Sequence, residues 1–172
     1  FGFDVVGYTT RAISESLGVV NTSPDFDLVA MVDVVEAPLH EAGDKLNLPR
    51  ERRFSSLESA LDRVEADAVL TVTPPVIHVQ HAELAFARGL HLLTEKPIGH
   101  DLPAAKRMVE LARKANRQLV VGQNYRYRKV IQKLKSMVRS EKPVGEFGHG
   151  HLDFYIPADF TGSFRETMEY PL

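Results

Sequence analysis

The residues of this sequence that are able to do chemistry stand directly after short apolar runs. Glu95-Lys96-Pro97 follows Leu90-His91-Leu92-Leu93-Thr94, and Thr73-Pro74-Pro75, with His78 close behind, follows Ala68–Val72. Asp33 follows Leu28-Val29-Ala30-Met31-Val32, and Gly7-Tyr8-Thr9-Thr10-Arg11-Ala12 follows Phe3–Val6. A buried strand ending in Glu95-Lys96 delivers two opposite charges to one crevice, and Pro97 fixes the turn that follows. Lys96 is expected to be partly desolvated there. A lysine so placed can hold a substrate hydroxyl and share its proton.

The other three segments suit a nucleotide. A strand-to-helix turn that binds a dinucleotide asks for G-x-G-x-x-G/A, where the glycines permit a tight turn, close approach of pyrophosphate and close helix packing. This chain offers Gly7, Thr9 and Ala12 at those positions. Thr9 adds a Cβ where phosphate comes closest, although its hydroxyl can donate to a phosphate oxygen. Asp33 lies somewhat further from Gly7 than the spacing of about 20 residues usual for the ribose-binding acid. Its carboxylate can accept both ribose hydroxyls and repel a 2′-phosphate. No arginine follows closely, so NAD is favoured over NADP. Proline cannot continue a central strand, so Thr73 and Pro74 fall in the crevice at the strand ends. His78 opens the next helix, where a histidine more often makes a structural hydrogen bond than performs catalysis.

The elements that must position these residues alternate between two patterns. Strands are expected at Phe3–Val6, Leu28–Val34, Ala68–Val72, Leu90–Leu93 and Leu119–Val121, each nearly continuous in apolar residues, as strands covered on both faces are. Helical spacing is expected over Glu36–Leu46, Leu57–Val64, Val76–Arg88 and Leu102–Ala115. Asp101 is placed to cap the last of these, and Gly89 to end the third in a left-handed conformation. Strands alternating with crossover helices imply an α/β fold with a doubly wound parallel sheet of Rossmann type. Near Tyr125 the pattern changes. A basic amphipathic helix around Lys129–Arg139 leads to Phe147–Ile156, whose alternation implies a half-exposed strand of another domain. Residues 1–124 are therefore expected to form a nucleotide-binding domain and residues 125–172 the start of a second, incomplete one.

Composition narrows the function. The chain has 172 residues, 44% hydrophobic and 26% charged, with a net charge of −2 and no cysteine. This gives no electrostatic case for nucleic acid or an anionic membrane, and no apolar run approaches the roughly 18 residues of a membrane span. A thiolate metal site and a cysteine nucleophile are excluded, and a cytoplasmic setting is expected. His149 and His151 share a strand face, but no third metal ligand is evident. The basic run Arg126, Arg128, Lys129, Lys133 and Lys135 reads as a solvated helix face rather than an RNA surface.

The run Thr73-Pro74-Pro75, His78, Ala85, Gly89-Leu90-His91 and Glu95-Lys96-Pro97 resembles the core signature of the Gfo/Idh/MocA oxidoreductases. Val120-Val121-Gly122-Gln123-Asn124-Tyr125-Arg126-Tyr127 and Pro24–Ala30 leading to Asp33 are similar to that family as well. The resemblance implies a Rossmann domain followed by an α+β domain with a mostly antiparallel sheet. It implies that Gly7, Tyr8, Thr9, Thr10, Arg11 and Ala12 cradle pyrophosphate, that Asp33 binds ribose, and that Thr73, Pro74 and His78 line the cofactor. Glu95 and Lys96 would stand by the nicotinamide, with Lys96 also contacting substrate as the catalytic residue. The peptide before Pro97 would be cis, Asn124 would lie near the nicotinamide, and Arg126 near the substrate. The implied activity is NAD-dependent oxidation of a secondary alcohol on a sugar, cyclitol or other polyol, in a homo-oligomer. The family's acid–base Asp and His follow the nucleotide domain and are not found before Leu172, so the chain is expected to be a piece of a longer protein, inactive alone. Thr9 suggests the alternative of a non-catalytic dinucleotide-binding or scaffold protein.

Overall fold

The computed structural model describes residues 3–8, 23–143 and 145–146, with side chains from residue 23 onward. Six strands form one sheet: β1 (Phe3–Tyr8), β2 (Phe26–Val32), β3 (Arg53–Phe54), β4 (Ala68–Thr71), β5 (His91–Thr94) and β6 (Leu119–Val121). Their order is β3-β2-β1-β4-β5-β6, and every pairing is parallel. The order reverses between β1 and β4, and open α/β sheets bind ligands at such a switch point, beyond the carboxyl ends of the strands.

Helices α1 (Glu36–Lys45), α2 (Leu57–Leu61), α3 (His78–Ala87) and α4 (Leu102–Ala115) belong to this sheet, together with short 3₁₀ turns at Arg50–Arg52 and Pro75–Ile77. Two apolar clusters hold them. The larger joins Ala30, Val32, Val69 and Leu92 of the strands to Leu57 and Ala60 of α2, Ala82, Ala85 and Phe86 of α3, and Met108 and Ala112 of α4. The smaller joins Leu28 and Met31 of β2 to Leu39 and Ala42 of α1. Strict alternation would give Leu28 to the larger cluster. The register between β1 and β2 shifts after Val5↔Leu28 so that Val6 meets Ala30. That bulge at Val29 resets which face each side chain takes.

Local chemistry sets the ends. Asp101 caps α4 by accepting a hydrogen bond from Ala104 N at 2.7 Å, and Asn116 ends the helix in the left-handed region with φ 52°. Gly89 follows α3 with φ 74°, the conformation expected of it. The expected helix Val76–Arg88 begins instead as the 3₁₀ turn Pro75–Ile77, because three-residue spacing suits a start on proline. The helix expected to reach Val64 stops at Leu61.

The strand ends move slightly against expectation. β2 stops at Val32 rather than Val34, because the Asp33 carboxylate turns back to accept from Val35 N at 2.8 Å. β3 has no periodicity that a two-residue strand could show.

The chain divides into two compact units, Phe1–Asn124 and Tyr125–Leu172. In the second, a 3₁₀ turn runs through Tyr127 into α5 (Lys129–Ser136) and a π-helical turn, Met137–Glu141. Lys133 Nζ at 2.8 Å and Ser136 Oγ at 2.9 Å donate to Glu141 and hold its carboxyl below the usual range. The strand expected over Phe147–Ile156, with His149 and His151, lies outside the described residues. Among the described residues no helix is long and apolar enough to cross a membrane.

Candidate functional site

The sheet's register delivers the site. Tyr8 pairs with Val32, Thr71 with Thr94, and Thr94 with Val121, so the strands finish in one row. The next residues continue that row as backbone hydrogen bonds. Asp33 N donates to Phe54 O at 3.1 Å, Glu95 N to Thr71 O at 3.0 Å, and Gly122 N to Thr94 O at 2.8 Å. Asp33, Val72, Glu95 and Gly122 thus stand on one rim, with Thr73 and Lys96 a residue further out. The backbone of Gly7 and Tyr8 ends β1 at this same rim. Thr9, Thr10, Arg11 and Ala12 lie outside the described residues.

On the β2 side the rim opens into a cleft of about 800 Å³. Asp33, 9% exposed, forms its floor beside Val34 and Val35. Ser55, Ser56 and Glu58 line it from the loop into α2, and Val72, Thr73, Pro74, Ile77 and His81 from the β4 turn. Mostly apolar walls with a few convergent polar groups are what a flat heteroaromatic group attached to a sugar requires. Sequence reasoning passed over the Ser55–Glu58 loop and His81. The signal for His81 was present, because it follows His78 by three residues on the helical face shared with Ala82 and Ala85.

The two histidines of α3 differ. His78 is fully buried. Its Nε2 is 2.8 Å from Thr73 O, and its Nδ1 is 3.3 Å from both Ile98 O and Thr94 Oγ1. The side chain therefore stands behind the wall of the cleft, where the resemblance implied that it lines the cofactor. The physical reason is that Pro75–Ile77 turns the first residue of α3 inward. His81 is part of the wall itself, with Nδ1 3.4 Å from Thr73 Oγ1. Burial, helped by neighbouring His78 and opposed by Glu58, lowers its pKa to about 4.

On the β5 side, Glu95 Oε2 accepts from Lys96 N at 3.0 Å. The carboxylate rests against Gly122, where an added Cβ would meet Glu95 Oε1 at 3.0 Å. Gly122 thus leaves the space the acid occupies. The Lys96–Pro97 peptide is cis. Lys96 is exposed rather than partly desolvated, because β5 ends at buried Thr94 and the chain then leaves the sheet. Asn124 is exposed two residues beyond Gly122. Arg126 belongs to the second unit, where its guanidinium stands 5.5 Å from the centre of the Tyr127 ring. Among the described residues no three His, Cys, Asp or Glu side chains are grouped to hold a metal.

Comparison with known proteins fits this geometry. Residues 1–123 match the model of the Gfo/Idh/MocA group, described as an oxidoreductase family with an NAD-binding Rossmann fold. The chain is 32% identical over 138 residues to inositol 2-dehydrogenase of Leifsonia xyli, covering 78% of this chain and 40% of that protein. It is 30% identical over 121 residues to 1-carboxy-3-chloro-3,4-dihydroxycyclohexa-1,5-diene dehydrogenase of Comamonas testosteroni, covering 68% of this chain and 30% of that one. The WlbA dehydrogenase of Bordetella pertussis, solved with NADH and UDP-GlcNAcA, superposes with a TM-score of 0.73 at 26% identity over 80% of this chain and 42% of that structure. The chain spans less than half the length of each of these relatives. A parallel sheet in this order, an acid ending its second strand and a Glu-Lys-cis-Pro turn ending its fifth accord with that match, and the chain belongs to the Gfo/Idh/MocA family of oxidoreductases.

Proposed function

We propose that this chain is the nucleotide-binding portion of an NAD-dependent oxidoreductase that acts on a secondary alcohol of a sugar, cyclitol or related polyol. The observation that carries the reading is the shared rim, which sets Lys96 and the acids Asp33 and Glu95 at the carboxyl ends of parallel strands. Asp33 fits an adenosine ribose, since it forms the floor of a cleft walled by Val72, Pro74 and Ile77. Its negative charge disfavours a 2′-phosphate, so NAD is preferred to NADP. Thr73 and Pro74 border the path from that cleft toward β5, and Glu95, Lys96 and Asn124 fall on the far side of it. The Gly7–Ala12 turn is assigned the pyrophosphate by its place after β1.

NAD, when bound, supplies the hydride acceptor. The protein's share of the chemistry is to orient the alcohol and manage its proton. Lys96 is assigned to hold the substrate hydroxyl and share its proton as the alcohol is oxidised or re-formed. Arg126 is assigned to the substrate end. The inositol and nucleotide-sugar dehydrogenases among the relatives support a polyhydroxylated substrate.

Titration of this chain with NADH and with NADPH, followed by fluorescence, tests the cofactor assignment. NADH is expected to bind at least about tenfold more tightly, a difference near 1.4 kcal/mol. Equal affinity, or none, overturns it. In the full-length protein, assayed with inositols and hexose derivatives, Lys96→Ala is expected to lower turnover by about 100-fold or more while NADH affinity holds within about threefold.

A further inference from the structure

The most deeply buried polar groups of the described residues are Thr71, Thr94 and His78, each fully inaccessible. They form a continuous string. Thr71 Oγ1 donates to Thr94 Oγ1 at 3.0 Å across the β4–β5 pair, and Thr94 Oγ1 lies 3.3 Å from His78 Nδ1. His78 Nε2 faces the carbonyl of Thr73 at 2.8 Å. A carbonyl can only accept, so Nε2 carries the hydrogen. With the hydrogen on Nε2 alone, Nδ1 accepts from the Thr94 hydroxyl, itself receiving from Thr71, and the Ile98 carbonyl 3.3 Å away is a contact and not a hydrogen-bond partner. In this tautomer the hydrogens run from Thr71 through Thr94 and His78 to the Thr73 carbonyl.

The string holds two different parts of the rim. The Thr73 carbonyl belongs to the turn whose side chains wall the cleft. Thr94 and Ile98, whose carbonyl oxygen is also 3.3 Å from Nδ1, flank the turn that presents Lys96. One imidazole thus touches both sides of the Lys96 turn and the carbonyl of the Thr73 turn.

We propose that His78 is a positioning residue, which with Thr94 fixes the distance between the Thr73-Pro74 wall and the turn carrying Lys96. This rests on the reading of that rim as the cofactor site. The string works through geometry alone, since His78 has no surface with which to touch a ligand. Replacing Thr94 loosens the Lys96 turn and leaves the Thr73 turn to its bond with His78, whereas removing the His78 ring releases both.

Hydrogen exchange of this chain, read at the amides of residues 95–99 (Pro97, which has none, excepted) and 76–77, together with NADH titration, tests the proposal. Thr94→Val keeps the shape and removes the hydroxyl. It is expected to speed exchange at 95–99 by about tenfold with little change at 76–77, as loss of one hydrogen bond near 1 kcal/mol implies. His78→Ala is expected to free both segments and weaken NADH binding by about tenfold. His78→Gln keeps an N–H donor at the ε position. It is expected to restore protection at 76–77 and NADH affinity to within about threefold of the unaltered chain, while 95–99 stays loose.

Uniform acceleration over the whole sheet, unchanged exchange in Thr94→Val, or failure of Gln to rescue affinity would each overturn the assignment. Should His78→Ala not fold, Thr94→Val still decides the matter. Failure of the unaltered chain to bind NADH would instead sink the functional reading, leaving the exchange pattern to judge the string by itself.

Discussion

The helix-facing middles of the strands and the carboxyl ends of β4 and β5 are equally dry but made of different material. Ala30 and Val69 are fully buried and apolar, and Leu92 nearly so, meeting the apolar faces of α2, α3 and α4. One turn further toward the rim, Thr71, Thr94 and His78 are just as inaccessible and polar. Apolar contact is non-directional and rewards area alone, so it fixes that the helices sit on the sheet. Hydrogen bonds have a preferred length and angle, so they fix where each turn begins. The comparison teaches that low exposure in this fold marks two jobs, and that chemical type separates them.

The largest expected effect probes the apolar half. Met108 is fully buried against the larger cluster, and Met108→Ala is expected to cost about 2–5 kcal/mol in denaturant unfolding. NADH affinity of the folded fraction should not change. If affinity falls with stability, the division between strand middles and rim is false.

A smaller effect comes from the cleft wall. His81 has its pKa lowered from 6.5 to about 4, so the unfolded chain binds its proton more readily than the folded one. Its contribution to stability is complete above about pH 6.5 and is lost as the pH falls toward 4. The loss is about 2 kcal/mol once solvent screening is allowed for. Burial sets most of the shift, with His78 adding to it and Glu58 opposing it. Unfolding measured at pH 7 and pH 4.5 should show that difference shrinking in His81→Gln relative to the unaltered chain. A slope unchanged by the substitution would remove His81 from the buried side of the comparison.

The smallest effect lies outside both halves. Asp101→Ala removes the hydrogen bond to Ala104 N at the start of α4 and is expected to cost about 1 kcal/mol in thermal or chemical unfolding. Exchange at residues 95–99 should stay at its original rate, because this cap orders a helix and not the rim.

Much of this was legible in the sequence, for reasons that also explain what was not. The runs Ala68–Val72, Leu90–Leu93 and Leu119–Val121 each announce a strand by being short and nearly continuously apolar, although Leu93 and Val120 are exposed and so β5 and β6 are not covered on both faces. Asp33, Thr73 and Lys96 were visible as the first polar residues after such runs. β3 was not, since Arg53 and Phe54 become a strand only through pairing with Met31 and Val32. His78 was legible as a residue that more often makes structural hydrogen bonds, and the structure shows it making them; its full burial, decided by the path of Pro75–Ile77, was not. On the Ser55–Glu58 side of the cleft the helix holding Glu58 was legible, but the place of Ser55 and Ser56 follows β3, which no local pattern could reveal.

Because all six strands run the same way, every position along the rim is supplied by a different connection. A change in one connection alters one contact with the ligand and leaves its neighbours where the register put them. Under the proposed function, such an architecture lets one connection change its contact with the alcohol or the nucleotide while the register of the others is kept.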